Sequence, residues 1–295
     1  MIPELANKIK EYYSDEEYQK IVNGYNSNRP VTIRINTIKA TKEEILTELD
    51  NNNISYEEVS WYSNALILKN TTEEVIRELN IYKEGHIYLQ SLSSQLPPLF
   101  LEPKENDQIL DMTAAPGGKT TEIAALADNK VMITATEKNK QRYERLKYNL
   151  EKQGVKRATV IQKDARYLDD FFSFDKILLD APCSGSGTLT ENSMNNFSME
   201  LLERINVTQE ELLTKALKLI KKDGYIIYST CSILKDENEK LLQKFIDKKQ
   251  IEIIPLDLSH YNNLPTLKTT IEGTLCLYPD ELYEGFFIAK IRKVI

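Results

Sequence analysis

Two cysteines stand in surroundings that suit nucleophilic chemistry. Cys183 lies in Asp180-Ala181-Pro182-Cys183-Ser184-Gly185-Ser186-Gly187 and Cys231 in Ser229-Thr230-Cys231-Ser232, each directly after an apolar, strand-like run. A thiolate is a strong nucleophile near neutral pH when a cation or a helix N-terminus lowers its pKa. A lone cysteine is more often a small buried hydrophobe, and Cys276 in Leu275-Cys276-Leu277 is read that way. The polar, Gly- and Ser-rich context shared by Cys183 and Cys231 points to chemistry instead. If their strands are neighbours in a sheet, both thiols face one pocket, with Asp180 as a candidate proton donor and Lys119 as the candidate cation. With only two histidines and no C-x-x-C pair, a metal site is not expected.

A second group of residues suits a cofactor. Thr113, Ala114, Ala115, Pro116, Gly117, Gly118 and Lys119 form a loop between a short apolar strand and a helix. The glycine pair lets a ligand approach the backbone, and the helix N-terminus offers free N–H groups. Gly118-Lys119-Thr120 matches the end of a phosphate-binding P-loop, but Thr113 stands where that motif needs its first glycine. Three acids follow at successive strand ends: Glu137, Asp164 and Asp180. Carboxylates lining one crevice suit a ligand with ribose hydroxyls, an adenine amino group and a cationic centre, and S-adenosylmethionine has all three. A P-loop-like nucleotide hydrolase is the alternative.

These loops need a scaffold, and the pattern supplies one. From Gln108 onward, short apolar strands at 108–112, 131–136, 158–162, 174–180 and 225–229 alternate with helices at 120–126, 138–153, 208–222 and 236–248, followed by a late β segment at 285–292. Gly224 is read as the C-cap of the 208–222 helix. Such alternation predicts an α/β fold with a mostly parallel, doubly wound sheet, whose ligands bind at the carboxyl ends of the strands. Upstream, a helical stretch over 2–23, a strand at 31–36, a helix opened by the Thr41/Glu44 capping box, two short strands and a helix near 72–79 predict a small α/β domain. The boundary is placed so that residues 1–84 form this domain and 85–295 the larger one.

Composition narrows the function classes. Hydrophobic residues make up 41% of the 295, enough for a real core, and no apolar run is long enough for a membrane span. The N-terminus lacks the pattern of a secretory signal, so a cytoplasmic location and no membrane partner are expected. The net charge of −7 argues against nonspecific coating of nucleic acid. Residues 137–166, however, hold ten cations against four carboxylates, a local +6 beside the proposed cofactor loop. A solvated helix face and a local nucleic-acid footprint are both open readings of that run.

Residues 86 to 293 resemble the Nol/Nop/Sun family of RNA cytosine-5 methyltransferases, whose bacterial members include RsmB and RsmF. The resemblance rests on Tyr88-Leu89-Gln90-Ser91, the block from Leu110 to Thr120, Asp180 to Gly187, Ser229 to Ser232 with Glu237-Asn238-Glu239, and Gly285-Phe286-Phe287-Ile288-Ala289. Cytosine-5 DNA methyltransferases are less similar, because there the Pro-Cys cysteine attacks and no Thr-Cys partner is expected. The resemblance implies a Rossmann-like class I methyltransferase acting on ribosomal or transfer RNA, with Cys231 attacking carbon 6 of cytosine and Cys183 assisting release of the product. It implies S-adenosylmethionine contacts from Thr113 to Lys119, Glu137, Asp164 and Asp180, and a role for Arg34 and its neighbours in seating RNA. A monomer is expected. Thr188-Leu189-Thr190-Glu191-Asn192 departs from the arginines and proline that many members carry there, and Lys235 replaces a frequent proline. A catalytically idle RNA-binding paralogue is the further alternative.

Overall fold

Ser14 divides the N-terminal helical stretch in two. Pro3–Tyr12 (α1) ends before it, and Asp15–Tyr25 (α2) begins after it with a full capping box, Ser14 accepting from Glu17 N and Glu17 reaching back to Ser14 N. The structure is a computed structural model and describes residues 2–189 and 197–294. By contact the chain divides into two units. One combines Met1–Arg29, Asp169–Asp257 and Asn263–Ile295, and the other Pro30–Leu168 and Leu258–Asn262.

The unit built on Pro30–Leu168 opens with strand Thr32–Ile35 (β1), helix Lys42–Asn51 (α3), and strands Tyr56–Val59 (β2) and Tyr62–Leu68 (β3). Short helices Glu73–Glu78 (α4) and Asn80–Lys83 (α5) lead to strand Ile87–Leu89 (β4). The four strands pair in the order β2-β3-β1-β4, all antiparallel. The Thr41/Glu44 capping box opens α3 as expected. Ile33 and Ile35 point into a core with Ile45, Leu49, Leu66 and Leu68, as period-two alternation requires. Arg34 takes the opposite face and is nonetheless fully buried.

Helix Leu92–Leu101 (α6) follows, buried on most sides although Pro97 and Pro98 lie inside it. Proline supplies no N–H, so the carbonyl of Ser94 loses its helical partner to Pro98. The Gln90 side chain replaces it, Nε2 donating to Ser94 O at 3.2 Å. Strand Gln108–Asp111 (β5), helix Gly118–Leu126 (α7), strand Met132–Thr136 (β6), helix Lys140–Lys152 (α8) and strand Ala158–Ile161 (β7) complete the unit. β6 lies between β5 and β7, parallel to both.

In the other unit, strand Phe174–Asp180 (β8) runs parallel to the long strand Ile220–Thr230 (β9), with helix Met199–Leu219 (α9) between them in sequence. Helix Glu239–Asp247 (α10) and strands Ile251–Ile254 (β10), Thr266–Leu267 (β11), Leu275–Leu277 (β12) and Phe286–Lys293 (β13) follow. β13 pairs antiparallel with β9, β12 and β10. Gly224 is not a helix cap. The helix stops at Leu219, and Gly224 lies within β9, where a Cβ would sit 2.5 Å from Asp175 O. The glycine serves this close approach at a register shift between β8 and β9, not a left-handed turn. The parallel pairing in both units agrees with the predicted α/β class.

Arg34 anchors a buried polar cluster in the Pro30–Leu168 unit. Its Nε donates to Gln90 Oε1 at 3.0 Å, and its Nη2 to Thr121 Oγ1 at 2.8 Å and to Gly118 O at 3.4 Å. Glu122 lies 3.8 Å from Arg34 Nε and accepts from Gln90 Nε2 at 2.8 Å. Burial pushes the Glu122 carboxyl up to about 8, against the opposing pull of Arg34 and Gln90. A carboxyl raised above its ordinary 4.5 contributes stability that is complete below that value and is lost as pH rises through about 8. Glu122→Gln should therefore flatten the fall in Tm across this window. Thermal unfolding of both proteins at a series of pH values checks it, and an unchanged slope would count against the assignment.

Candidate active site

The two cysteine loops meet because their strands are paired. Asp180 on β8 stands opposite Ser229 on β9, and Ser229 Oγ donates to Asp180 Oδ1 at 2.8 Å. Each strand then releases its chain into a loop, leaving the Cys183 and Cys231 sulfurs 3.0 Å apart and both half-buried. That distance is a hydrogen bond in which either sulfur can be the donor. The bond to Cys231 raises the Cys183 pKa well above its ordinary value, with burial adding to the effect.

Glu237 ties the two loops together. Its buried carboxylate accepts from Ser184 N at 2.7 Å, from Ser184 Oγ at 2.6 Å and from Ser232 Oγ at 2.5 Å. It thereby grips the residue after each cysteine. Burial raises the Glu237 pKa, and the Ser184 and Ser232 donors oppose the rise. Ser186 Oγ meets Ser232 Oγ at 2.7 Å and accepts from Ile233 N, and Gly187 N donates to Cys231 O at 3.0 Å. Gln209 on α9 holds Pro182 O, and Asn238 joins Thr230 Oγ1 to Ser232 O. From the N-terminal helices, Tyr25 OH donates to Ser186 O and Tyr13 OH to Ile233 O, each at 2.5 Å.

The sequence reading used Glu237 only as part of a motif, and missed Gln209, Tyr13 and Tyr25. The serine following each cysteine was the one local hint that a shared acceptor was needed. Cys276 is buried on β12 as expected, its pKa raised chiefly by burial. Thr190 to Asn192 lie outside the described residues.

The other unit shapes the proposed cofactor loop. Ala114 N bonds Thr136 O, Arg142 Nη2 bonds Ala115 O at 2.8 Å, and Asn149 Nδ2 bonds Pro116 O at 2.7 Å. The Ala115–Pro116 peptide is cis, and Gly117 has φ +113°, a conformation that demands glycine. Gly117 is also the N-cap of α7 and supplies no side-chain cap, so the first-turn N–H groups have no capping oxygen from this residue. Glu137, almost buried after β6, accepts from Asn139 N at 2.8 Å and lies 3.5 Å from Arg142 Nε. Asp164 takes both Arg166 Nε and Nη2 and is held below the usual carboxylate range, chiefly by that side-chain hydrogen bond.

Two expected residues behave differently from a simple reading. Lys119 Nζ donates to Ser94 Oγ at 2.9 Å. Arg34 has no exposed surface. Its guanidinium instead holds the first turn of α7 through Gly118 and Thr121.

The Rossmann-type α/β scaffold is one that methyltransferases use, and the comparisons with known proteins agree on that class. The chain belongs to the 16S rRNA methyltransferase RsmB/F family, whose model matches residues 98–292, while a RsmF/B-like ferredoxin-like domain model matches residues 4–73. It is 34% identical to the 25S rRNA (cytosine-C(5))-methyltransferase nop2 of Schizosaccharomyces pombe, over 98% of this chain and 50% of that one. It is 35% identical to the ribosomal RNA small subunit methyltransferase F of Shewanella woodyi, over 91% and 58%. The chain thus spans about half the length of these curated relatives. Among solved structures, a methyltransferase homolog protein from Pyrococcus horikoshii matches with a TM-score of 0.81 and 30% identity, covering 100% of both chains. NSun6 from the same organism, crystallised with SFG, matches with a TM-score of 0.88 and 26% identity, over 100% of this chain and 98% of that one.

The closest approach in the thiol loops is at Gly187, where a Cβ would stand 2.0 Å from Gly285 O. Gly285 N also donates to Gly187 O at 2.8 Å, so neither backbone can retreat without losing the bond. Gly187→Ala should destabilise the protein by about 1–3 kcal/mol, as overpacking of a tight site does. Denaturant unfolding measures it, and a variant as stable as the parent would show that the loops have room to separate.

Proposed function

We propose that this chain methylates carbon 5 of a cytosine in RNA, with S-adenosylmethionine as the methyl donor and Cys231 as the covalent nucleophile. The observation that carries the proposal is the 3.0 Å thiol pair, which brings both strand-end cysteines into one half-buried site. The rRNA cytosine methyltransferases named among the relatives support the reaction class. On this reading residues 1–84 help seat the RNA and 85–295 carry out the chemistry.

The residues present fit the cofactor. The first-turn N–H groups of α7 suit a carboxylate, and the Glu137 carboxylate suits ribose hydroxyls. Asp164 suits an amino group, with Arg166 as its present partner. Thr113 to Lys119 form the loop that would wrap the ligand, and Asp180 the third acid. When bound, S-adenosylmethionine supplies an electrophilic methyl group on a sulfonium centre.

The chain's own residues do the rest. The Cys231 sulfur adds to carbon 6 of cytosine, breaking the 5,6 double bond and making carbon 5 electron-rich enough to accept the methyl group. Asp180, oriented by Ser229, acts as the proton donor to the ring, neutralising the negative charge that the adding sulfur brings to it. Lys119, anchored by Ser94, is the cation of the proposed cofactor loop. A base takes the carbon 5 proton, the electron pair it leaves re-forms the 5,6 double bond, and the Cys231 sulfur departs as the thiolate, with Cys183 assisting this release.

Cys231→Ala should abolish methyl transfer to RNA, whereas Cys183→Ala should stall before release and accumulate a protein–RNA adduct. Radiolabelled methyl incorporation and denaturing gels read the two outcomes. Full activity of Cys231→Ala on a verified substrate would sink the assignment of the nucleophile.

A further inference from the structure

The Pro30–Leu168 unit has a concavity that none of the proposed catalytic side chains explains. It encloses about 590 Å³, within the usual range for a small-ligand site, between α8, β4 and the α4–α5 segment. Arg145, Tyr148, Asn149 and Lys152 line it from α8. Their spacing of three, four and seven residues places them on one helix face. Arg77, Tyr82 and Tyr88 converge from the other side, and no carboxylate lines the space.

Three cations and three tyrosines around one hollow are unexpected in a chain of net charge −7. An ordinary solvated helix would leave each lysine and arginine to water or to a nearby acid. Arg77 does pair with Glu73, but Arg145 has no ion pair among the described residues. Lys152 lies 3.8 Å over the Tyr82 ring. Its pKa is lowered first by burial and then by the neighbouring charges of Arg77 and Lys39, which an anion bound beside it would offset. Tyr148 is 61% exposed and is therefore not a core residue. A second depression of about 560 Å³ shares Tyr148 and Lys152 and is lined further by Lys39, Lys83 and His86 and by the acids Glu84 and Glu151.

An exposed ring beside paired cations is what single-stranded nucleic acid needs, with a face for the base and positive charge for the phosphate. We propose that this concavity binds a nucleotide of the substrate RNA other than the target cytosine, its base stacked on Tyr148 and its phosphate held by Arg145 and Lys152. The proposal rests on the RNA reading above. It assigns the +6 segment a specific part in substrate binding, through a site separate from the methyl-transfer residues. Pro116 belongs both to this wall and to the proposed cofactor loop, and Asn149 bonds its carbonyl, so nucleotide and cofactor would brace the same turn from two sides.

The test measures binding of a short fluorescein-labelled single-stranded RNA to the full chain by anisotropy over a range of salt, with methyl transfer assayed in parallel. Tyr148→Ala should weaken binding about 5- to 100-fold with the salt slope unchanged, because stacking carries no charge. Arg145→Ala should weaken binding and reduce the slope by about 0.7, the loss of one phosphate contact. Lys147→Ala, exposed on α8 but outside the concavity, should change little, and circular dichroism confirms that all three surface variants fold. Wild-type binding by Tyr148→Ala, or a loss with Lys147→Ala equal to that with Arg145→Ala, overturns the inference. If the unaltered chain methylates RNA while the variants bind normally, only the concavity assignment fails. If the variants lose binding as expected but no RNA is methylated, the methyl-transfer reading fails and the binding site stands.

Discussion

The buried carboxylate of Glu237 is the constraint on which the thiol site depends. A carboxylate without water is costly, and it persists because two hydroxyls and a backbone N–H point at it from the loops that carry the cysteines. The energetic need of the acid and the geometric need of the chemistry therefore coincide. Satisfying Glu237 requires Ser184 and Ser232 to approach one another, and that approach leaves the two sulfurs in contact. Tyr13, Tyr25, Gln209 and Asn238 then donate to four backbone carbonyls of these loops, which restrains segments rich in Gly and Ser.

The other unit solves a similar problem with the opposite charge. Arg34 is buried on the strand face that alternation leaves opposite the Ile33 and Ile35 core, and its guanidinium reaches the first turn of α7. Gln90 joins it to Glu122 and also replaces the N–H that Pro98 lacks. One side chain thus completes both a charged cluster and a helix that two prolines would otherwise interrupt. In each unit a buried ionisable group helps to determine where a strand-end loop lies.

Charge is divided in the same purposeful way. The chain is acidic overall, which disfavours indiscriminate nucleic-acid binding. Its positive charge concentrates on α8 and the segments facing it, where tyrosines interleave with the cations. A sequence-level count located that run but could not distinguish a solvated face from a lined concavity. The distinction depends on Arg77 and Tyr82, which lie more than sixty residues upstream of Tyr148.

By itself the sequence determined what short-range rules control: the alternation of strands and helices, the Thr41 capping box, the loop glycines and the contrast between Cys276 and the two strand-end cysteines. These follow from side-chain period, backbone freedom and capping chemistry within a few residues. Only the tertiary structure decided that Gly224 lies in a strand, that Arg34 is buried, and that α1 and α2 pack with the second half of the chain. It also decided that Glu237 clamps both thiol loops. The physical reason is distance along the chain. Tyr13 and Ile233 are 220 residues apart and Ser184 and Glu237 are 53 apart, and no local preference encodes a partner that only packing brings within hydrogen-bond reach.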